Sequence, residues 1–540
     1  MEQEICRELE RFYGSRFQKC IFENGEFVPH GSSDSFSAPK GLVWPDSSRI
    51  FPRTSSFDTV FGNRKRFSSS GSDSRASNIL IASEQKDAVS HDFMKHGDVL
   101  ISLGLDWDYP YLDKFYELKK SLGIRVISCC YDLIPILYPQ YCVGHVAAGF
   151  KEYFGKLSWS SSTMLCISQQ SRSDYRKLVR QIGAPEIPSV VIPLGDNVPD
   201  AKGIVGPEIQ RLKEKPYILF VSTIERRKNH EVLYRAYHLL AKDGHGKNLP
   251  KLVFVGMPGW GVGDLLKDIE LDPLIEGRIV QLNHVTDAEL SFLYRNAKFM
   301  VYPSLYEGWG LPVGEALACG KAVVASARGS IPEVGGDLVV YVDPWNAQAW
   351  ADEILRLVEH PEQLEALENA ISSGYKPRVW ADTAKAVMAA VDALGPAPRC
   401  SLDLLPGYDM RTLVGAPCAG AMRSLGQKGV LTFGPYWPLS PGKYDIEIDV
   451  VKIGGAAGDL SVRVCHQQGT KEIAASRLSF DRGELFDGAI SLSINIKERL
   501  KDFEIVTEIT EGLLVSINAI RVVELEDKAQ GISSSDRQYA

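Results

Sequence analysis

No run of about 18 apolar residues occurs anywhere in this chain, so the sequence offers no candidate transmembrane helix. Its first residues, Met-Glu-Gln-Glu-Ile-Cys, lack the basic start and apolar stretch of a secretion signal. Positive charge is not in excess. A formal net charge of −8 provides no overall basic field of the kind that draws a protein onto nucleic acid or anionic lipid. There is no CxxC pair, and the ten cysteines are scattered, which fits neither a zinc site nor a disulfide framework. These absences lead us to expect a cytoplasmic protein with no nucleic-acid partner and no bound metal.

What is present is an ordinary packed composition, 44% hydrophobic and 24% charged, in 540 residues, too many for one core. Residues 1–196 are expected to form a first domain. Within it, 19–28 read as a β-hairpin around Asn24-Gly25, and 31–90, rich in Ser and Gly, read largely as loop. From Asp98 onward, apolar strands near 98–104, 124–130 and 163–168 alternate with helices near 110–122 and 145–160, and the unit closes at 190–195. Continuous apolar strands separated by helices signal a parallel sheet covered on both faces. A second series of the same kind fills 197–398. Beyond it the period changes to two, as in Gly442–Val451, Leu460–Cys465 and Ile490–Ile496, so 405–526 is expected to be an antiparallel β-sandwich. Residues 527–540 read as a flexible tail. Within the sandwich, Phe433-Gly-Pro-Tyr436-Trp437 offers rings for a glycan-binding role.

The segment that carries chemistry is Tyr302-Pro-Ser-Leu-Tyr-Glu307-Gly308-Trp309-Gly310-Leu311-Pro312-Val313-Gly314-Glu315. A strand ends at Pro303, a Gly-containing loop follows, and Pro312 suits the first turn of a helix. Loop amides and free helix N–H groups then converge on one spot suited to phosphate. Glu307 and Glu315 bracket that spot and could serve different parts of one ligand. The spacing alone equally fits a helix-capping carboxylate followed by an exposed helix Glu.

This segment resembles the E-x7-E motif of retaining GT-B glycosyltransferases of family 4 (group 1). The similarity continues through Val221-Ser-Thr-Ile-Glu225-Arg226-Arg227-Lys228-Asn229-His230, Val253–Gly256, Leu282-Asn283-His284-Val285 and Ala327-Arg-Gly-Ser-Ile-Pro332-Glu333-Val, across roughly 98–395. The resemblance implies a GT-B architecture, two facing Rossmann-like α/β domains, with the sandwich appended. It implies a donor that is a nucleoside-diphosphate sugar, GDP-mannose or a UDP-sugar, and no other cofactor. In that frame Arg227 and Lys228 would neutralise the diphosphate, and the amides of Gly308, Trp309, Gly310 and Leu311 would cradle it. Glu307 would hold donor-sugar hydroxyls and support the oxocarbenium-like centre, Glu315 would bind the ribose, and Asn283 and His284 would border the base. Thr223 stands where many relatives have an Arg.

Tyr131-Asp132-Leu-Ile-Pro resembles the family's His-Asp-Leu-Ile-Pro, making Asp132 a candidate for a substrate hydroxyl; capping of the next helix is the alternative. The expected acceptor is a glycan or lipid-linked oligosaccharide of bacterial surface polysaccharide. Peripheral association with the inner face of the plasma membrane or with other polysaccharide-assembly proteins goes with that role. The competing functions are a phosphorylase-like enzyme on the same architecture and an inactive sugar- or nucleotide-binding scaffold. Asp106-Trp107-Asp108 matches the metal-binding D-x-D of the other large glycosyltransferase fold, although cleft lining or a solvated loop fits it better. Finally, relatives open with a strand where this chain opens with a helix, so Met1 reads as a late start, and an open, apolar sheet edge is expected.

Overall fold

In the computed structural model of the chain, the described residues are 2–13, 17–23, 26–29, 79–82, 94–104, 112–142, 144–196, 198 and 203–526. The Asp106-Trp107-Asp108 motif, the Asn24-Gly25 turn, most of 31–90 and the tail 527–540 lie outside them. No helix among the described residues is long and apolar enough to cross a membrane.

The first unit is built on a seven-stranded sheet. Strands Val99–Ser102, Arg125–Cys130, Thr163–Cys166 and Ser189–Val191 run parallel, as their uninterrupted apolar runs require. The expected open edge is filled. Ile79–Ala82 pairs antiparallel with Val99–Ser102, and Phe17–Glu23, in turn hairpinned to Glu26–Pro29, pairs with Ile79–Ala82. The four apolar residues Ile-Leu-Ile-Ala had been hidden in a Ser-rich stretch, too short to register as a strand by periodicity. Helix Gln169–Ile182 also escaped the sequence reading, although Ser168 caps it by accepting from the Ser171 amide and Gly183 ends it in the left-handed conformation.

The second unit carries six strands, all parallel, in the order Ile279–Leu282, Lys251–Val255, Tyr217–Val221, Phe299–Tyr302, Val323–Ala325, Val340–Tyr341. The order reverses between Tyr217–Val221 and Phe299–Tyr302. In such sheets ligands settle at that reversal, outside the carboxyl ends of the strands. After this unit the chain crosses back. Helix Trp380–Asp392 packs on Glu2–Tyr13, Thr383 bonds the Pro193 carbonyl at 2.6 Å, and Arg125 reaches the Gly395 carbonyl at 2.8 Å.

The crossing is pinned at Asp196, whose buried carboxylate accepts from the Arg378 amide at 2.7 Å, the Arg378 guanidinium at 3.0 Å and the Tyr375 hydroxyl. Gly314 lies against Asp196 so closely that a Cβ there would come within 2.6 Å of the Asp196 Cβ. Residues from Cys400 onward form two antiparallel sheets that share one buried core, including Tyr444, Ile446, Val462, Phe503 and Ile520. This region docks on the first unit through strand Pro435–Leu439 and helix Leu112–Leu122, where the Trp437 and Tyr116 rings meet edge to face at 6.4 Å.

Candidate active site

The reversal point of the second sheet places two loops side by side. Arg227 and Lys228 follow strand Tyr217–Val221, and Glu307 follows strand Phe299–Tyr302. Asn229 holds the first loop in place: in a left-handed conformation, it donates its amide to the carbonyls of Pro303 at 3.2 Å and Pro344 at 2.8 Å. The Leu305 amide then bonds the Arg227 carbonyl at 2.8 Å, locking the two loops together. Ser330 supports the second loop from below, its hydroxyl donating to the carbonyls of Glu307 at 3.0 Å and Trp309 at 2.9 Å.

Glu307 is buried at the centre. One carboxylate oxygen accepts from Lys228 at 2.5 Å, Ser304 at 2.6 Å and Tyr302 at 3.1 Å; the other lies 2.8 Å from Arg227. Arg227 also pairs with Glu225 at 2.7 Å and donates to the Tyr306 carbonyl at 2.8 Å. Burial by itself would raise the Glu307 pKa, but the two cations and the hydrogen bonds outweigh it and hold the carboxyl at about 2. Glu307 is therefore ionised throughout the physiological range.

Helix Leu311–Ala318 starts behind this loop with Gly310 in the left-handed region and no side-chain cap. Trp309, beside it, buries an indole N–H that has no hydrogen-bond partner among the described residues, and Arg378 lies 5.0 Å over its ring. An orphaned buried donor is uncommon in a folded interior. Glu315, on the second turn of the helix, accepts from Tyr294 at 2.7 Å. Burial raises its pKa, opposed by that hydrogen bond. Asn283 and His284 are exposed on the loop after strand Ile279–Leu282, three strand positions from Phe299–Tyr302. The Asn283 side chain accepts from Gln281 at 2.9 Å.

The first unit closes over the same spot. Gly308 approaches the end of strand Arg125–Cys130 so tightly that a Cβ would come within 2.6 Å of the Tyr131 carbonyl and 2.8 Å of the Asp132 Cβ. Asp132 accepts from the Ile134 amide at 3.0 Å, so it does support the start of the next helix as well as facing the Glu307 loop. Burial raises its pKa; the Ile134 amide and Arg227 pull the other way.

Three contacts that sequence reasoning missed tie the units together. The Glu333 carboxylate accepts from the amides of Gln169 at 2.7 Å and Gln170 at 2.8 Å, at the positive end of helix Gln169–Ile182. The Tyr306 hydroxyl donates to Asp174, and the Trp260 indole donates to the Tyr141 carbonyl at 2.8 Å. Each pair is separated by more than a hundred residues, and no local pattern announces it.

Residues 207–374 match the family model described as glycosyl transferases group 1. O-antigen chain mannosyltransferase B of Escherichia coli is 30% identical over 254 residues, 47% of this chain and 66% of that protein. Serotype-specific mannosyltransferase WbdA of Escherichia coli is 29% identical over 282 residues, 48% of this chain and 32% of that one. The match thus spans just under two thirds of the first relative and about a third of the second. Among solved structures, HepE of Anabaena in complex with UDP and glucose aligns with a TM-score of 0.43 at 18% identity, covering 54% of this chain and 78% of that one. Residues 207–374 are therefore a group 1 glycosyl transferase domain, and its relatives include O-antigen mannosyltransferases.

Proposed function

We propose that the chain is a retaining glycosyltransferase that moves a sugar, mannose from GDP-mannose in the first instance, onto a glycan or lipid-linked acceptor of a bacterial surface polysaccharide. The observation that carries the reading is the buried triad of Glu307, Lys228 and Arg227, set where the second sheet reverses and faced by Asp132 of the first unit. In the transfer, the bond from the sugar's anomeric carbon to the diphosphate breaks and its electron pair stays with the phosphate oxygen. The acceptor hydroxyl oxygen bonds the anomeric carbon on the same face, and its proton passes to that departing phosphate oxygen. Negative charge grows on the leaving group, so fixed cations and amide dipoles stabilise the transition state more than the bound donor.

Lys228 and Arg227 supply the cations, and the loop Gly308–Leu311 with the helix behind it supplies the dipoles. Glu307, kept ionised by those same cations, supplies the negative charge that an oxocarbenium-like centre requires. Glu315 takes the ribose, with Asn283 and His284 bordering the base.

Titration calorimetry with GDP, UDP and their sugars tests the reading. Binding of one nucleoside diphosphate, weakened by Lys228→Ala, is expected. No binding to any of them, together with no turnover, would replace the transferase by an inactive scaffold.

A further inference from the structure

Every sheet in the molecule has to end somewhere, and an edge strand presents unpaired N–H and C=O groups to any chain that can add to it. The edges of the two parallel-type sheets are short: Glu26–Pro29 and Ser189–Val191 in the first, Ile279–Leu282 and Val340–Tyr341 in the second. In the C-terminal region, Gly415–Cys418 has four residues and includes Pro417, and Gly429–Thr432 is four residues long with a shifted register. Lys471–Phe480 is longer but carries Lys471, Glu472 and Arg477. Each of these edges is blunted by length, proline, irregularity or charge.

Strand Phe486–Ile496 is different. It has 11 residues, pairs on one side with Gly442–Gly455 in an unbroken register from Phe486 to Ile496, and carries Asp487 as its one charge. It is the last strand of its sheet, with no strand on its other side among the described residues. Its inward row is also incompletely covered. Ile490, Leu492, Ile494 and Ile496 keep 5–8% exposure, whereas Tyr444, Ile446, Ile448 and Val450 on the neighbouring strand keep none.

We propose that this edge pairs with the same edge of a second copy, antiparallel about a two-fold axis through Leu492. Three features of the sequence favour that partner and register. Residues whose numbers sum to 984 then lie opposite one another, so inward residues meet inward residues: Ile490 faces Ile494, and Leu492 faces Leu492. The outward pairs, Ser491 with Ser493 and Ala489 with Asn495, are small and uncharged. At each end, Asp487 of one copy falls near Lys497 of the other, the first residue past the end of the strand, and both are exposed with no ion pair among the described residues. A two-fold contact of this kind is self-complementary and closes on itself, and a paired edge no longer templates open-ended association. One strand pair orders few side chains on each copy, so the association is expected to depend on concentration.

Sedimentation velocity on the full chain, from low to high micromolar, reads the association. The wild type is expected to shift from monomer to dimer across that range. Ser491→Lys with Ser493→Lys places lysines opposite each other and should weaken the dimer roughly tenfold or more. Should that variant fold poorly by circular dichroism, Asp487→Lys is the second probe. Alone it sets like charges at both ends and weakens the dimer; combined with Lys497→Asp it restores the opposite-charge pairs and the association. A chain that stays monomeric at the highest concentration overturns the proposal. So does a dimer indifferent to S491K/S493K and D487K, or a D487K/K497D chain that associates no better than D487K.

Discussion

Two segments of this chain were marked as sugar-facing, the loop around Glu307 and the run Phe433–Trp437, and they are used very differently. Around Glu307 two cations and two hydroxyls converge at the carboxyl ends of parallel strands, under the cover of a second unit. In Phe433–Trp437 the aromatic rings are half-buried and make contacts within the protein. Trp437 packs on Tyr116, while Tyr436 donates to Glu504 at 2.7 Å and lies under Arg411. Parallel strands direct their polar loop ends to one edge, where unsatisfied groups accumulate; aromatic residues on an antiparallel strand meet whatever lies against that strand. A ring motif is therefore weaker grounds for a glycan site than a charged loop at a sheet reversal.

The contrast breaks first at Glu307. Glu307→Gln keeps the side chain's size and removes its charge, so steady-state kinetics should show turnover lower by a factor of about a hundred or more, with nucleoside diphosphate still bound. Glu315→Gln acts on the other half of the ligand. The loss of a charged hydrogen bond, roughly 1.5–3 kcal/mol, should weaken nucleotide binding about ten- to hundred-fold by calorimetry while turnover at saturation changes little.

Glu333→Ala touches neither, yet removes one of the contacts that hold the two units together. At up to about 2 kcal/mol for charge at a helix N-terminus, kcat/KM should drop several-fold up to about thirtyfold with the diphosphate Kd nearly unchanged, and small-angle scattering should report a larger radius. Trp437→Ala sharpens the comparison from the other side: donor kinetics should stay within about twofold, while the thermal transition falls or splits as the C-terminal region loses its contact with helix Leu112–Leu122.

Acid separates the core from the site in a subtler way. His230, tilted against the Phe220 ring and edge-on to Phe254, is held to about 3 by burial, helped by Lys228. The unfolded chain takes up a proton below about pH 6.5 that the folded chain refuses, so stability is complete above that pH and drains away as pH falls toward 3. Glu307 adds a second loss between its ordinary 4.5 and about 2, because there too the proton favours the unfolded chain. Urea midpoints measured against pH should fall across the first window, and His230→Phe should flatten that slope without altering the Glu307 window.

Much of this was readable from composition and period. Apolar runs separated by helical stretches announce parallel sheets because both faces of each strand must be covered, and the switch to alternation after Cys400 announces the antiparallel region for the opposite reason. The Gly-Trp-Gly-Leu-Pro loop announces a helix start because only glycine takes the left-handed cap at Gly310 and only a first turn accepts Pro312. Strand Ile79–Ala82 was lost in a polar stretch, its identity resting on the neighbour it pairs with. Helix Gln169–Ile182 carries its own signals, a Ser cap and a closing Gly.

What no local pattern contained was the pairing of distant groups. Asp196 with Arg378, Glu333 with the amides of Gln169 and Gln170, and Gly308 against Asp132 join residues more than 150 positions apart. Residue identity set which groups were available to bond, while the crossing of the chain back onto its first unit set which of them met. Likewise, Glu307 is an ordinary carboxylate by sequence, and only the enclosure of Arg227 and Lys228 with it, away from water, turns it into one that stays charged down to about pH 2.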